Sequence, residues 1–455
     1  MTTPTGIPVR ATLPRRRLGA VESFLAARRN LLGIVPEATM HQAVVSGRTG
    51  ARWHMVTDPA AIRRVLLERP DAYPKSEVTK AMLRPAIGDS LFVAEGAHWR
   101  WQRRAAAPVF SQRNLSALAP VMTAAADRAA ERVAAAGNRA LDLCQEMVRT
   151  TFDVIAEVSF SDDGSFDAAG VHRAIDTFIA EVGRPAFFDI LGLPVWIPRP
   201  ERLMAERSVG AMKAEADAAV AARSARGTGT APDLLDMLMS AQDPETGRGM
   251  TRSELRDNLL TFIVAGHETT ALSLAWSLYL CAFDQQVQDR ARAEAQSVLG
   301  TRAAGVDDLD ALPFIRMIVE EALRLYPPAA IVSRTAHAAD RLAGAEVRPG
   351  DTVVLPIYAL HRSRLIWDTP DAFRPHRFAD RKAIDRFAYL PFGDGPRVCI
   401  GARFAMQEAV IVLATLLARF RFRPVPGRDP DPVMILTLRP ERGVWLEAEP
   451  AAPRQ

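Results

Sequence analysis

The chain has 455 residues, of which 48% are hydrophobic and 24% charged, values typical of an ordinary globular protein. Its 57 basic and 53 acidic residues leave a net charge of +4, too even to indicate a nucleic-acid-binding surface. Its three cysteines, Cys144, Cys281 and Cys399, cannot build a disulfide scaffold, and no Cys-x-x-Cys pair exists. A cysteine that matters in this chain therefore acts alone.

The predicted elements follow one another without a fixed-period repeat or an obvious linker. We therefore expect one mainly helical domain over residues 1–455, with flexible ends at residues 1–20 and 449–455. In chain order we predict a strand pair in 41–59, helices over 114–222 interrupted by an apolar loop at 183–200, a buried helix at 259–283, a helix at 313–326 ended by two prolines, a strand-like stretch at 331–358 with a turn at 348–351, and a helix at 401–420.

The apolar stretch Leu259–Phe283 is long enough to cross a membrane. His267 and Glu268 lie near its middle, however, and a charge at the centre of a bilayer is costly. The N-terminus has a basic cluster but no apolar run after it, so neither a signal peptide nor an anchor is expected. We interpret the stretch as a core helix of a soluble, cytoplasmic protein.

The most informative segment is Phe392–Gly401, which reads FGDGPRVCIG. Cys399 precedes a predicted helix, whose positive N-terminal end favours a thiolate over a thiol, and Arg397 adds positive charge. The glycines let the backbone approach a flat, bulky group closely. These are the needs of a thiolate ligand to haem iron. The alternative is a structural cysteine in a glycine-rich turn, and Cys144 and Cys281 are interpreted as small core hydrophobes.

This segment matches the signature F-x-x-G-x-R-x-C-x-G, and the chain resembles the cytochrome P-450 (haem-thiolate monooxygenase) superfamily from about residue 53 to 440. The resemblance implies a single large, mainly α fold with small β-sheets, with haem between the long central helix and the helix after the cysteine. It implies that Cys399 ligates the iron of a non-covalent haem b, and that Phe392, Arg397 and Gly401 contact the cofactor.

A second motif, Ala265 to Thr270 (AGHETT), resembles the oxygen-binding motif A/G-G-x-D/E-T-T/S. Ala265 and Gly266 leave room for a ligand beside the helix. Glu268 and Thr269 form an acid–alcohol pair that can relay the protons needed to cleave O2. The alternative is a polar kink in which threonine hydroxyls bond back to carbonyls. His267 occupies the variable position and receives no role.

A third motif pairs Glu321 with Arg324 on one helix face, as in E-x-x-R. The segment around Arg377 (FRPHRF) resembles P-x-R-F of the same superfamily. The resemblance implies a buried structural network of these three residues that holds the haem-binding core. Glu320 is an alternative acid without the correct spacing.

The fourth motif is W-x-x-x-R, which places Trp99 and Arg103 on one helix face. An indole N–H and a guanidinium are suitable donors to the two haem propionates. The resemblance implies that they bind propionates together with Arg334 and Arg397. A plain amphipathic helix is the alternative, and the neighbours that could substitute are His98 and Arg104.

Five mostly apolar segments are expected to line the substrate pocket, which predicts an apolar small-molecule substrate, although each could equally be plain core. They are 82–93, 187–196, 262–265, 329–332 and 434–436. No G-x-G-x-x-G motif is present, so electrons are expected from a separate protein. The resemblance to soluble bacterial members of the superfamily implies a ferredoxin- or flavodoxin-type partner with its reductase. That partner could dock on a basic face formed by Arg381, Lys382, Arg397 and Arg403, unless these residues bind propionates or water.

The predicted activity is insertion of one oxygen atom from O2 into an apolar substrate, by hydroxylation or epoxidation. Two rivals remain open: a peroxide-driven enzyme of the same fold, and a haem-binding sensor without turnover. The intact Glu268–Thr269 pair disfavours the first, because the resemblance implies that peroxygenases usually lack it.

Overall fold

The computed structural model describes residues 6–137, 139–160, 206–226 and 233–450, together with residues 170, 173–175 and 177. The described chain is mostly helical with small sheets, which confirms the predicted fold class. Its α-helices span Ala20–Arg29, Pro59–Arg63, Glu77–Ile87, Gly96–Ala106, Gln112–Ala136, Leu143–Phe160, Glu206–Arg226, Leu234–Ser240, Arg252–Phe283, Gln285–Leu299, Pro313–Leu325, Ile357–Leu360 and Ala402–Arg419. Short helical turns lie at Leu31–Ile34, Glu37–Met40, Arg64–Glu68, Pro70–Ala72, Ala107–Phe110, Val306–Ala311, Pro375–Ala383 and Gly395–Arg397.

The eleven strands of the described chain form four small sheets. In chain order they are β1 (Val44–Thr49), β2 (Ala51–Val56), β3 (Leu141–Asp142), β4 (Val332–Thr335), β5 (Asp340–Leu342), β6 (Ala345–Val347), β7 (Thr352–Leu355), β8 (Phe420–Pro424), β9 (Pro432–Met434), β10 (Leu438–Pro440) and β11 (Trp445–Pro450). The largest sheet has the order β1-β2-β7-β4, with β2 and β7 parallel. The predicted strand pair and strand-like stretch thus join in one sheet.

The longest helix, Arg252–Phe283, is called the central helix below. It begins seven residues before the predicted apolar stretch because Thr251 caps it and Glu254 completes a capping box. All of its residues from Ala271 to Ala282 are buried, so this part of the helix is wrapped by protein on every side. In the described part of the chain, no helix has the length and apolarity needed to cross a membrane.

The helix that follows the cysteine, Ala402–Arg419, is called the signature helix and agrees with the predicted 401–420. Its residues from Gln407 to Ala418 are buried without a break, and it packs against the central helix. These two helices therefore supply rigid walls on which the flanking motifs are carried.

Residues near both ends of the described chain contact distant parts of the protein. Tyr279 and Tyr358 hydroxyls accept hydrogen bonds from the backbone of Val9 and Ala11, at 3.0 and 2.9 Å, and Arg10 pairs with Asp371 at 2.8 Å. At the other end, residues 449 and 450 belong to β11. Distant groups thus hydrogen-bond the backbone at both ends. The flexibility expected for residues 1–20 and 449–455 stays a prediction.

Candidate active site

A cavity of about 1000 Å³ lies between the central helix and the loop that carries the cysteine. Its wall includes all the cofactor-binding and catalytic candidates from the separate sequence motifs. These are Trp99, Arg103, Ala265, Gly266, Glu268, Thr269, Arg334, Phe392, Arg397, Cys399 and Gly401. The fold thus brings three distant motifs and Arg334 to one place.

The cysteine loop is shaped by backbone contacts. The Cys399 N–H donates to the Phe392 carbonyl at 2.9 Å, and Gly395–Arg397 form a helical turn. Gly395 has φ +72°, and a Cβ there would overlap the Leu66 carbonyl oxygen. Glycine is therefore required at 395 for both its backbone angle and its close approach. The side of the loop that bears Cys399 faces the cavity.

Replacing Gly395 with alanine is expected to destabilise this loop. Gly393→Ala is the matched control, because Gly393 has φ +68° but no atom within 4 Å of a Cβ. The control should lose about 1 kcal/mol of unfolding free energy, because alanine is strained in the left-handed backbone conformation. Gly395→Ala should lose a further ~1–3 kcal/mol from the clash. Urea unfolding measures both, and equal losses would show that Leu66 moves aside freely.

The charge environment of Cys399 differs from the sequence interpretation. Burial raises the pKa of the Cys399 thiol, and it outweighs the Gly401 N–H and the Arg103 charge, which both lower it. Arg397, which we expected to favour the thiolate, instead pairs with Glu95 and stacks on Trp99 at 4.4 Å. Arg103 therefore takes the place of Arg397 as the cation that acts on the sulfur.

One end of the cavity carries a cation cluster, defined as Lys75, Arg103, Arg334 and Arg397. Glu95 pairs with Arg397 and also accepts from the Lys75 backbone N–H at 2.9 Å. Sequence reasoning missed Lys75. Its ammonium donates to the Phe92 carbonyl and lies 3.7 Å from the Phe92 ring centroid. Its rarity was the one available signal, since the chain has only four lysines.

The cation cluster holds more positive charge than its surroundings neutralise. Desolvation and, next, the charge of Arg397 lower the pKa of Arg334 to about 10, still well above neutrality. Burial lowers the pKa of Lys75 well below its usual range. Among the described residues Arg103 has no ion-pair partner, and Arg334 donates only to the Ser333 carbonyl, at 2.9 Å. The excess suits a ligand with two carboxylates.

The residues present fit haem. A thiol and guanidinium groups without an ion-pair partner among the described residues line the same cavity. The thiol suits iron, and the guanidinium groups suit two propionates. Trp99 also lines this cavity and offers an indole N–H. His98 and Arg104, the neighbours that could have bound propionates instead, have other partners. His98 hydrogen-bonds Trp101 and Gln102, and Arg104 forms an ion pair with Asp243.

The AGHETT motif lies within an unbroken stretch of the central helix. Thr269 donates its hydroxyl hydrogen to the Ala265 carbonyl at 2.8 Å, so its oxygen can still accept a hydrogen bond from the cavity. The Glu268 carboxylate accepts from Arg439, a contact that the sequence did not indicate. His267 is buried and donates from Nδ1 to the Ile263 carbonyl at 2.8 Å, which is a structural contact.

The structure also joins Glu321, Arg324 and Arg377. The carboxylate of Glu321 lies 2.6 Å from Arg324 Nε and 3.3 Å from Arg377 Nε, and the first two side chains are fully buried. Arg324 donates further to the carbonyls of His361 and Pro370, at 2.8 and 2.7 Å. None of the three predicted members lines the cavity, in keeping with a structural role. Glu320 lies outside this cluster of contacts.

Four of the five expected pocket segments contribute to the cavity wall, mostly through apolar side chains. They contribute Met82, Leu83, Ile87, Leu91, Phe92, Phe262, Val264, Ala265, Ala329, Ile331, Val332, Met434, Ile435 and Leu436. The fifth, Phe187–Trp196, lies outside the described residues. Of the expected basic docking face, Arg403 and Lys382 are exposed, whereas the Arg397 side chain is 13% exposed and turns inward.

Comparison with known proteins agrees with this site. The family model for cytochrome P-450 matches residues 42–447. Cyclooctatin synthase of Streptomyces melanosporofaciens is 32% identical over 428 residues, covering 93% of this chain and 92% of that protein. Cyclooctat-9-en-7-ol 5-monooxygenase of the same organism is 32% identical over 409 residues, with 89% and 87% covered.

A solved structure supports the same assignment at the level of the fold. The crystal structure of the cytochrome P-450DA haem domain superposes with a TM-score of 0.78 at 27% identity, covering 90% of each chain. The family match over most of the length and this similarity of fold show that the chain belongs to the cytochrome P-450 family and is an oxidoreductase that incorporates oxygen.

Proposed function

We propose that this chain is a monooxygenase that binds haem b without a covalent link, with Cys399 as the iron ligand, and inserts one oxygen atom from O2 into an apolar substrate. The observation that carries the proposal is that Cys399 and residues of the AGHETT motif line one and the same cavity. The family to which the chain belongs implies haem with cysteine-ligated iron.

Different residues of this chain have different roles in the proposed reaction. When bound, haem supplies the activation of O2 and the transfer of one oxygen atom, while the other leaves as water. Trp99 and the cation cluster hold its propionates, and Ala265 and Gly266 leave space for O2. Glu268 and Thr269 carry protons to that space. Glu321, Arg324 and Arg377 keep the cysteine loop in register with the core.

The substrate and the electron donor follow from the lining and the surface. The apolar wall favours a largely hydrocarbon substrate, and the two Streptomyces relatives carry names of cyclooctatin and cyclooctat-9-en-7-ol chemistry. We propose a ferredoxin- or flavodoxin-type donor in the cytoplasm. It would dock near the exposed Lys382 and Arg403, whose charge suits an acidic protein.

Oxygen labelling tests the proposed function. The holoenzyme is supplied with a surrogate ferredoxin, its reductase, NADPH and styrene under 18O2. We expect styrene oxide that carries one 18O atom. Product with hydrogen peroxide but none with the reductase system would favour the peroxide-driven rival, and a haem spectrum without any styrene oxide would favour the sensor.

Thr269→Ala is expected to separate electron use from product formation. Loss of the hydroxyl slows proton delivery, so the share of consumed O2 recovered as styrene oxide should fall about tenfold, while peroxide rises. Ser277→Ala is the matched control, because Ser277 makes the same bond to the carbonyl one turn earlier, at 2.7 Å, but does not line the cavity. Unchanged coupling in Thr269→Ala would remove this hydroxyl from the relay.

A further inference from the structure

The carboxylate of Glu268 does not simply face the cavity: it is held by Arg439. The guanidinium of Arg439 donates to Glu268 Oε1, across 171 residues of sequence. The Glu268 side chain is 10% exposed and that of Arg439 is 30% exposed. A charge-assisted bond to a nearly buried carboxylate is strong, and it restricts the rotamers that a free glutamate would sample.

Arg439 is itself held in place by the strand that carries it. It lies on β10, opposite Val433 of β9, and the neighbouring Leu438 is fixed on both sides. The Leu438 N–H donates to the Pro328 carbonyl at 2.9 Å, and its carbonyl accepts from Trp276 Nε1 at 3.3 Å.

Trp276 and Glu268 belong to the same helix. Eight residues separate them, which is about 12 Å along the axis. The β9–β10 hairpin is therefore joined to the central helix at two points, and Arg439 has little freedom to move away from Glu268.

The same hairpin reaches the cavity. Its tip, residues 434–437, lines the wall, two to five positions before Arg439. Arg439, which holds the Glu268 carboxylate, thus belongs to a hairpin that also lines the cavity.

We infer that Arg439 is a positioning residue of the proton relay, which holds the Glu268 carboxylate in the orientation from which it serves Thr269. This inference rests on the proposed function. Arg439 acts through Glu268 and does not itself line the cavity, so we expect its replacement to change the KM for substrate little.

The test compares Arg439→Gln, Arg439→Lys, Glu268→Gln and the double variant Glu268→Gln/Arg439→Gln, with styrene as the probe. Arg442→Gln is the matched control, because Arg442 belongs to the same part of the chain but makes an exposed pair with Asp431. The haem–CO band of each holoenzyme reports the folded fraction, and rates are expressed per folded enzyme.

For Arg439→Gln we expect about a fivefold fall in styrene oxide formed per O2 consumed, with the KM for styrene changed less than about twofold. Arg439→Lys should recover at least half of the loss, since it restores a donor and the charge. In the Glu268→Gln background the second substitution should cause no further fall. The Arg442→Gln control should match wild type.

Two outcomes would overturn the inference. In the first, Arg439→Gln forms as much styrene oxide per O2 consumed as Arg442→Gln does. In the second, the loss caused by Arg439→Gln adds in full to the loss caused by Glu268→Gln. If Arg439→Gln does not fold, Arg439→Met, which keeps an apolar stem but has no donor or charge, is compared in the two Glu268 backgrounds instead. Wild type that makes no styrene oxide would instead count against the proposed function, so the two failures are distinct.

Discussion

Cys399→Ser is expected to abolish the red-shifted absorption band of the reduced CO complex and, with it, styrene oxide formation. A thiolate pushes electron density onto haem iron and favours O–O cleavage, whereas a serine oxygen at the same place is a far weaker donor. The variant should keep its fold, because Cys399 faces the cavity and the loop is set by backbone bonds. Difference spectra and circular dichroism measure the two properties separately.

Cys281→Ser is the control for this experiment. Cys281 is fully buried on the central helix, and burial raises its pKa far above the range where a thiolate forms. A serine there can return its hydroxyl to the carbonyl one turn earlier, as Ser277 does. The control should keep the red-shifted band. If the red-shifted band survived in Cys399→Ser, the assignment of Cys399 as the iron ligand would be wrong.

Arg324→Ala is expected to cost about 3–5 kcal/mol of unfolding free energy, because it leaves a buried Glu321 carboxylate without its main partner. The substitution also strips donors from the carbonyls of His361, Pro370 and Ala372. These carbonyls lie in the chain between β7 and the cysteine loop, so haem retention should fall together with stability. Urea unfolding and haem release to apomyoglobin give the two measurements.

Arg316→Ala provides the comparison on the same helix. Arg316 is exposed, and surface substitutions of this kind usually change stability by less than about 0.5 kcal/mol. Arg324→Lys should behave nearly as poorly as Arg324→Ala, since an ammonium cannot reproduce the forked donation to Glu321. A loss in Arg324→Ala no larger than that of Arg316→Ala would show that the pair is dispensable.

The sequence was sufficient where chemistry and spacing are local. The FGDGPRVCIG loop before a helix, the AGHETT helix and the E-x-x-R pair are each readable within a few residues, and the structure places each on the element expected. Their convergence on one cavity came from the family resemblance, because no local pattern says which distant segments pack together.

The sequence was insufficient where partners lie far apart along the chain. Glu95 forms an ion pair with Arg397, 302 residues further along the chain, and Glu268 forms one with Arg439, 171 residues further along. Neither acid has a neighbour in sequence that marks it as a partner. Lys75 was missed for a related reason: a lysine signals a surface position unless its burial is known, and burial is a property of the packed chain.

The bonds made by residues 9–11 also set an order of events during synthesis. Arg10 leaves the ribosome 361 residues before its partner Asp371. At about 5–20 residues per second, the N-terminal segment waits roughly 20–70 s before its docking site exists. The N-terminal segment can therefore dock on Asp371 only after that residue has emerged. Deleting the segment should delay or prevent this late folding step and leave the earlier steps unchanged.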